Sequence, residues 1–195
     1  MMDSYRVYFT GVGGQGTLLA TSVLAEAAIS AGYQAITSEI HGMAQRGGIV
    51  ESTVMIGDVK SPIISDGEAD VLLGFEPLET YRAMRKCSAG SVVISNTVPI
   101  MPYGVAIGKG VYPNVEKLFD FIRSQVKRLV TVDAQALAKQ AGSVLSANIV
   151  VLGALTGSGV LPIPREAFEE TIQTKTKKAF VETNLKAFAL GFSAP

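Results

Sequence analysis

The chain is poor in the residues from which reactive centres are most often built. Of its 195 residues one is a cysteine, Cys87, and one a histidine, His41. A single thiol closes no internal disulfide, and alone it cannot ligate an iron–sulfur cluster, which takes about four thiolates. One His and one Cys also give no metal-ligand spacing. Cys87 reads as a half-buried small residue near a helix end. Charge is scarce as well: Asp, Glu, Lys and Arg make up 17% of the chain, against roughly 25% in an ordinary soluble domain. Basic and acidic residues balance at 17 each with no basic run, so nucleic acid is not an expected partner. No apolar stretch reaches the roughly twenty residues of a membrane span. The longest, Ala147 to Leu161, is broken by Asn148, Thr156, Gly157, Ser158 and Gly159, and reads as a buried helix. The N-terminus runs straight into a strand-like segment without a basic and apolar leader, which points to the cytoplasm.

What is present is largely apolar. Hydrophobic residues make up 48% of the chain and the mean hydropathy is +0.32. Too few charges remain to coat the surface, so either the core is large or another chain covers part of it; permanent complexes produce this composition. The length suits one domain, 1–195, with a self-supporting core.

Periodicity supplies the architecture. Tyr5 to Thr10 is a β-branched and aromatic run ending at glycines, after which Leu18, Leu19, Val23, Leu24 and Ala27 recur at helical spacing and Gly32 closes the helix. Strands are expected at Gln34–Ile40, Ile49–Ile56, Ile63–Ser65, Val71–Phe75, Ser91–Ser95 and Leu129–Val132. Helices are expected at Glu76–Lys86, with Pro77 in the first turn, at Val115–Val126, Ala134–Ala141 and Ser146–Thr156, and in a terminal region that Pro164 opens and Gly191 closes. Thr97 to Gly110, rich in proline and glycine, reads as a loop or irregular hairpin. Alternating strand and helix argue an α/β domain with a largely parallel sheet. The second and third strands are joined by a loop too short for a crossover helix of about a dozen residues, so that pair is expected antiparallel and the sheet mixed.

Two loops stand out. In Gly11-Val12-Gly13-Gly14-Gln15-Gly16 the glycines permit a tight turn, and the following helix offers free N–H groups to an anion. The spacing of Gly11, Gly13 and Gly16 also fits the dinucleotide fingerprint, with Glu39 placed to hold a ribose, although a loop and an alternating strand follow Glu39 where a helix should. No Lys-Ser or Lys-Thr pair follows Gly16, which excludes a P-loop. Three readings stay open: close packing of the helix, a dinucleotide site, and a surface for another ligand or a partner subunit. The second loop, Glu39 to Gly48, gathers His41, Gln45 and Arg46 among Gly42, Gly47 and Gly48. Arg46 suits a two-point clamp on phosphate or carboxylate. His41 lacks an evident acid or nucleophile to work with and reads as a capping or interface residue. Gly157-Ser158-Gly159 is one residue short of a serine elbow. No catalytic outfit closes, so any redox or hydrolytic chemistry must come from a cofactor or another subunit.

Taken together, Gly11 to Gly16 and Ser38-Glu39-Ile40-His41-Gly42-Met43-Ala44-Gln45-Arg46-Gly47-Gly48 resemble the gamma subunit or domain of 2-oxoacid:ferredoxin oxidoreductases, and the second motif is most similar to the small subunit of indolepyruvate oxidoreductase. The resemblance continues through Ser146-Ala147-Asn148, Gly153-Ala154-Leu155, Leu161-Pro162-Ile163-Pro164 and Asn184 to Gly191. It implies a three-layer α/β/α domain within a complex that decarboxylates a 2-oxoacid, indolepyruvate or another arylpyruvate among the candidates, to an acyl-CoA. Thiamine diphosphate and 4Fe-4S clusters would sit in partner subunits, coenzyme A would be the co-substrate, and ferredoxin would meet the complex. This chain would bind no cofactor alone, and the resemblance marks no residue in it as a catalytic acid or base. Gly11, Gly13, Gly14, Gln15, Gly16 and Arg46 are then the candidates for coenzyme A or partner contact, and Glu39, His41, Gln45, Gly47 and Gly48 for the surrounding interface. A free-standing Rossmann-like nucleotide-binding oxidoreductase and a noncatalytic scaffold are the competing classes.

Overall fold

The computed structural model describes residues 4–41 and 48–195, His41 by its backbone alone. Strands β1 (Tyr5–Val12), β2 (Ala35–His41), β3 (Ile49–Ile56), β4 (Ala69–Gly74), β5 (Cys87–Asn96) and β6 (Arg128–Val132) form one sheet in the order β2-β3-β1-β4-β5-β6. β4, β5 and β6 run parallel to β1, whereas β3 is antiparallel to both its neighbours. The sheet is therefore mixed, and the short β2–β3 connection is the cause.

The helices are α1 (Thr17–Ser30), α2 (Pro77–Arg82, continued by a 3-10 turn over Ala83–Lys86), α3 (Tyr103–Ala106), α4 (Val115–Gln125), α5 (Ala134–Ala141), α6 (Ala147–Gly157), α7 (Arg165–Lys175) and α8 (Val181–Phe192). Side chains alternate across the strands. Val7, Phe9, Val54, Val71, Leu73, Val92 and Ile94 face α1 and α5 to α8, and the intervening Tyr8, Met55, Leu72 and Val93 meet Ala83, Phe119 and Ile122 on the other side. That gives three layers, α/β/α. Helix α6 is buried on nearly every side, from Asn148 to Leu155, because the sheet lies below it and α5, α1 and α8 surround it.

The α6–α8 contact is made backbone to backbone. A Cβ at Gly153 would stand 2.8 Å from the Phe192 nitrogen, and one at Gly191 would penetrate the Val150 carbonyl oxygen. Gly191, expected to close the terminal helical region, thus lies inside α8 and serves close packing instead. A second correction concerns Ile63–Ser65, expected as a strand. It is irregular, with Ile63 74% exposed. Both edges of β3 are already occupied, so the segment crosses the sheet face and is tied by the Thr53 hydroxyl to the Pro62 carbonyl at 2.7 Å.

Candidate functional site

The chain leaves β1 through α1 towards β2 on one side, and leaves β4 through α2 towards β5 on the other. The crevice between the ends of β1 and β4 is therefore the point where the strand order reverses, the place where open α/β sheets bind ligands. The glycine loop lies there. Gly14 (φ 98°) and Gly16 (φ 75°) hold left-handed backbone that a side chain would strain. Gln15 folds back on the loop: its Oε1 accepts the Val12 N–H at 2.7 Å and its Nε2 donates to the Phe75 carbonyl at 2.7 Å, tying the end of β1 to the end of β4. Gln15 is thus spent on shaping the loop. Gly11 is buried within β1, where a Cβ would stand 2.8 Å from Gln15 Oε1 and 3.1 Å from the Phe75 Cβ, so its bareness admits that fold-back.

Gly16 caps α1 with no side-chain cap bond, and the first turn of α1 holds no acid. The first N–H groups of a helix carry partial positive charge, and they open here towards a cavity of about 390 Å³. Its wall includes Gly14, Gln15, Gly16, Phe75, Asn96, Gln135 and Asn148, with no ionisable side chain among the described lining residues. Two asparagines brace it. Asn148 donates to the Gly16 carbonyl at 3.0 Å. Asn96, 2% exposed, donates to the Phe75 carbonyl at 2.9 Å and accepts the Ala134 N–H at 3.1 Å. On the rim the buried carboxylate of Glu76 accepts the Glu79 N–H at 2.9 Å, the Ile100 N–H at 3.1 Å and the Tyr112 hydroxyl. Burial, then that carboxylate, push the Tyr112 phenol up. Near the site two buried oxygens have no partner among the described residues: Gln135 Oε1 on a residue of the cavity wall, and Thr17 Oγ1 at the start of α1.

The second loop meets the first at its described flanks. The Gly13 N–H donates to the Gly48 carbonyl at 2.9 Å, and His41 pairs with Val50, which pairs with Gly11. Gln45, Arg46 and Gly47, with the His41 side chain, lie outside the described residues. Glu39 is exposed on β2, opposite Ser52. With β3 between β2 and β1, it stands two strand spacings, about 9.5 Å, from the glycine strand. A dinucleotide fold needs that acid on the adjacent strand, so Glu39 is not placed to hold a ribose. Sequence reasoning missed Asn96, Glu76 and Gln135 as wall or rim residues. Position just beyond an apolar strand was the one available signal for Asn96 and Glu76, and Gln135 gave none. No group of three or more His, Cys, Asp or Glu able to hold a metal occurs among the described residues, and no described helix is long and apolar enough to cross a membrane.

Comparison with known proteins agrees with this geometry. The chain is 41% identical over 188 residues to an indolepyruvate oxidoreductase subunit IorB of Archaeoglobus fulgidus, covering 96% of this chain and 94% of the relative. It is 38% identical over 195 residues to the subunit of that name from Pyrococcus horikoshii, with 99% and 96% covered. The crystal structure of a keto/oxoacid ferredoxin oxidoreductase gamma subunit from Geobacter sulfurreducens superimposes with a TM-score of 0.71 at 30% identity, covering 97% of both chains. Residues 6–194 match the family described as pyruvate ferredoxin/flavodoxin oxidoreductase. Fold, switch-point crevice and full-length similarity place this chain in that family.

Proposed function

We propose that the chain is the gamma-type subunit of a cytoplasmic 2-oxoacid:ferredoxin oxidoreductase, with an arylpyruvate such as indolepyruvate as the substrate class. The complex would convert a 2-oxoacid and coenzyme A to an acyl-CoA and carbon dioxide, passing two electrons to ferredoxin. Thiamine diphosphate and iron–sulfur clusters do not fit this chain's described residues, which offer one thiol and no acidic or histidine cluster. They belong to partner subunits, and this chain contributes a surface and a coenzyme-facing crevice.

The observation that carries the reading is the open N-terminus of α1 behind left-handed glycines, facing a concave cavity at the point where the strand order reverses. Such a site takes an anion on backbone N–H groups and a neutral polar group beside it. Arg46 lies on the loop whose flanks border Gly11 and Gly13, and we assign it the same anionic ligand or a carboxylate of the partner subunit. The purified chain alone should show no turnover with arylpyruvates, coenzyme A and a viologen acceptor. In the reconstituted complex, Gly14→Val should raise the KM for coenzyme A, because no neighbour stands within 4 Å of a Cβ there and the added side chain enters the crevice. Arg46→Lys should cost about tenfold or more in that KM or in subunit affinity, since the two-point contact is lost. Normal kinetics and assembly in both variants, with circular dichroism showing native folds, would reduce the loop to a helix-packing device.

A further inference from the structure

Beside the glycine crevice lies a second cavity, of about 340 Å³, that nothing above uses. It shares Leu19, Leu145 and Asn148 with the crevice and runs on to Lys175, Lys177 and Phe180 at the turn between α7 and α8. Its apolar side chains are unusually open to solvent. Leu145 is 75% exposed and Phe180 38%, and Val144, next to Leu145 in the chain and on the wall of the glycine crevice, is 56% exposed. Large apolar side chains grouped around a concavity mark an interaction site rather than the scattered exposure normal for a monomer. Lysines gather at the far end. Lys175 is committed to Glu26 at 2.7 Å, whereas exposed Lys177 and Lys178 have no acidic partner among the described residues.

We infer that this groove docks a segment of the complex's thiamine-binding or cluster-binding subunit, one that presents aliphatic or aromatic side chains followed by carboxylates. The inference rests on the reading of this chain as a subunit, and it adds the face used and the chemistry of what meets it. The apolar part of the segment covers Leu19, Leu145 and Phe180. Its carboxylates meet Lys177 and Lys178, the charge complementarity that fixes direction and speeds encounter. The low charged fraction favours such a cover, and the groove adjoins the crevice, so the docked segment would form one wall of the ligand site.

The test uses the complex co-expressed from full chains. Leu145→Ser and the pair Lys177→Glu with Lys178→Glu change exposed side chains, so both should fold as the parent does. Each should weaken subunit association by about tenfold or more, and the lysine pair should also flatten its salt dependence. Exchange of Leu145 for p-benzoylphenylalanine should cross-link to a partner-subunit peptide containing Asp or Glu. Cross-linking to this same chain, association unchanged in both variants, or an altered KM for coenzyme A with association unchanged would each overturn the docking assignment while leaving the subunit reading intact. A wild-type chain that co-purifies with no other subunit would overturn both.

Discussion

Alanine in place of Gly191 separates helix propensity from helix packing, because the two act in opposite directions. In an exposed helix, glycine to alanine stabilises by about 1 kcal/mol, through backbone entropy alone. Gly191, however, lies in α8 against α6, where a Cβ would stand 3.0 Å from the Val150 Cα and inside its carbonyl oxygen. Main-chain atoms of a buried helix cannot turn aside as a side chain can. The two helices must move apart, loosening fully enclosed Val150, Ile149 and Phe188. Overpacking of a close-packed interior costs about 1–3 kcal/mol, at times more. Taking the upper figure and subtracting the propensity gain leaves a loss of about 2 kcal/mol, equivalent to a fall in Tm of about 4–8 °C for a chain of this size. Urea denaturation followed by far-ultraviolet circular dichroism measures it, with Ser193→Ala at the exposed end of the same helix as control. Gly153→Ala should cost a similar amount, and the double variant less than the sum, since the first substitution already separates the helices. A Gly191→Ala chain as stable as the parent, or more so, would refute the backbone-to-backbone account of this interface.

Cys87 should resist alkylation by iodoacetamide at pH 8, because burial raises its thiol to about 11, leaving a thiolate fraction of about one in a thousand. Fast labelling of the native chain at that pH would contradict the burial argument. Glu79 is raised above the ordinary carboxyl range chiefly by desolvation, and its Oε2 has no partner among the described residues. A raised folded-state pKa means that its contribution to stability is present below the unfolded-state value and is lost as pH rises through the folded one. The parent should therefore lose stability relative to Glu79→Gln as the pH climbs from below about 4 to neutrality, and parallel stability curves across that range would sink the assignment.

Local chemistry carried most of the architecture. The alternation of apolar runs with helical spacing is a property of the chain, so strand and helix types, the antiparallel β2–β3 pair and the buried helix α6 were legible before any packing was known. Ile63–Ser65 failed because strand-like composition does not decide whether a neighbouring strand is open to pairing, and β3, which the segment follows, already lies between β2 and β1. Gly191 was misread because glycine both ends helices and lets them touch, and only the partner helix shows which role applies. The glycine loop was legible as a tight turn ahead of an uncapped helix, since glycine's freedom and the open helix end are local properties. Its wall was not: Asn96, Gln135 and Asn148 stand far from it in sequence and meet it only when the sheet closes.

By itself, then, the sequence determined the class of fold, the shortage of cysteine and histidine, and the resemblance that names a family, all of which depend on composition and short-range pattern. Tertiary structure alone decided where strand order reverses, and it put β3 between β1 and β2, removing Glu39 from the glycine strand. It also decided which polar groups are spent and which are left over. The Gln15 amide is consumed bridging Val12 to Phe75, while Gln135 Oε1 is buried without a partner. The two side chains are chemically identical, and the difference between them is set by neighbours 60 residues away in one case and by the absence of any among the described residues in the other. Long-range pairing of this kind has no period along the chain, so it becomes visible only when the chain is folded.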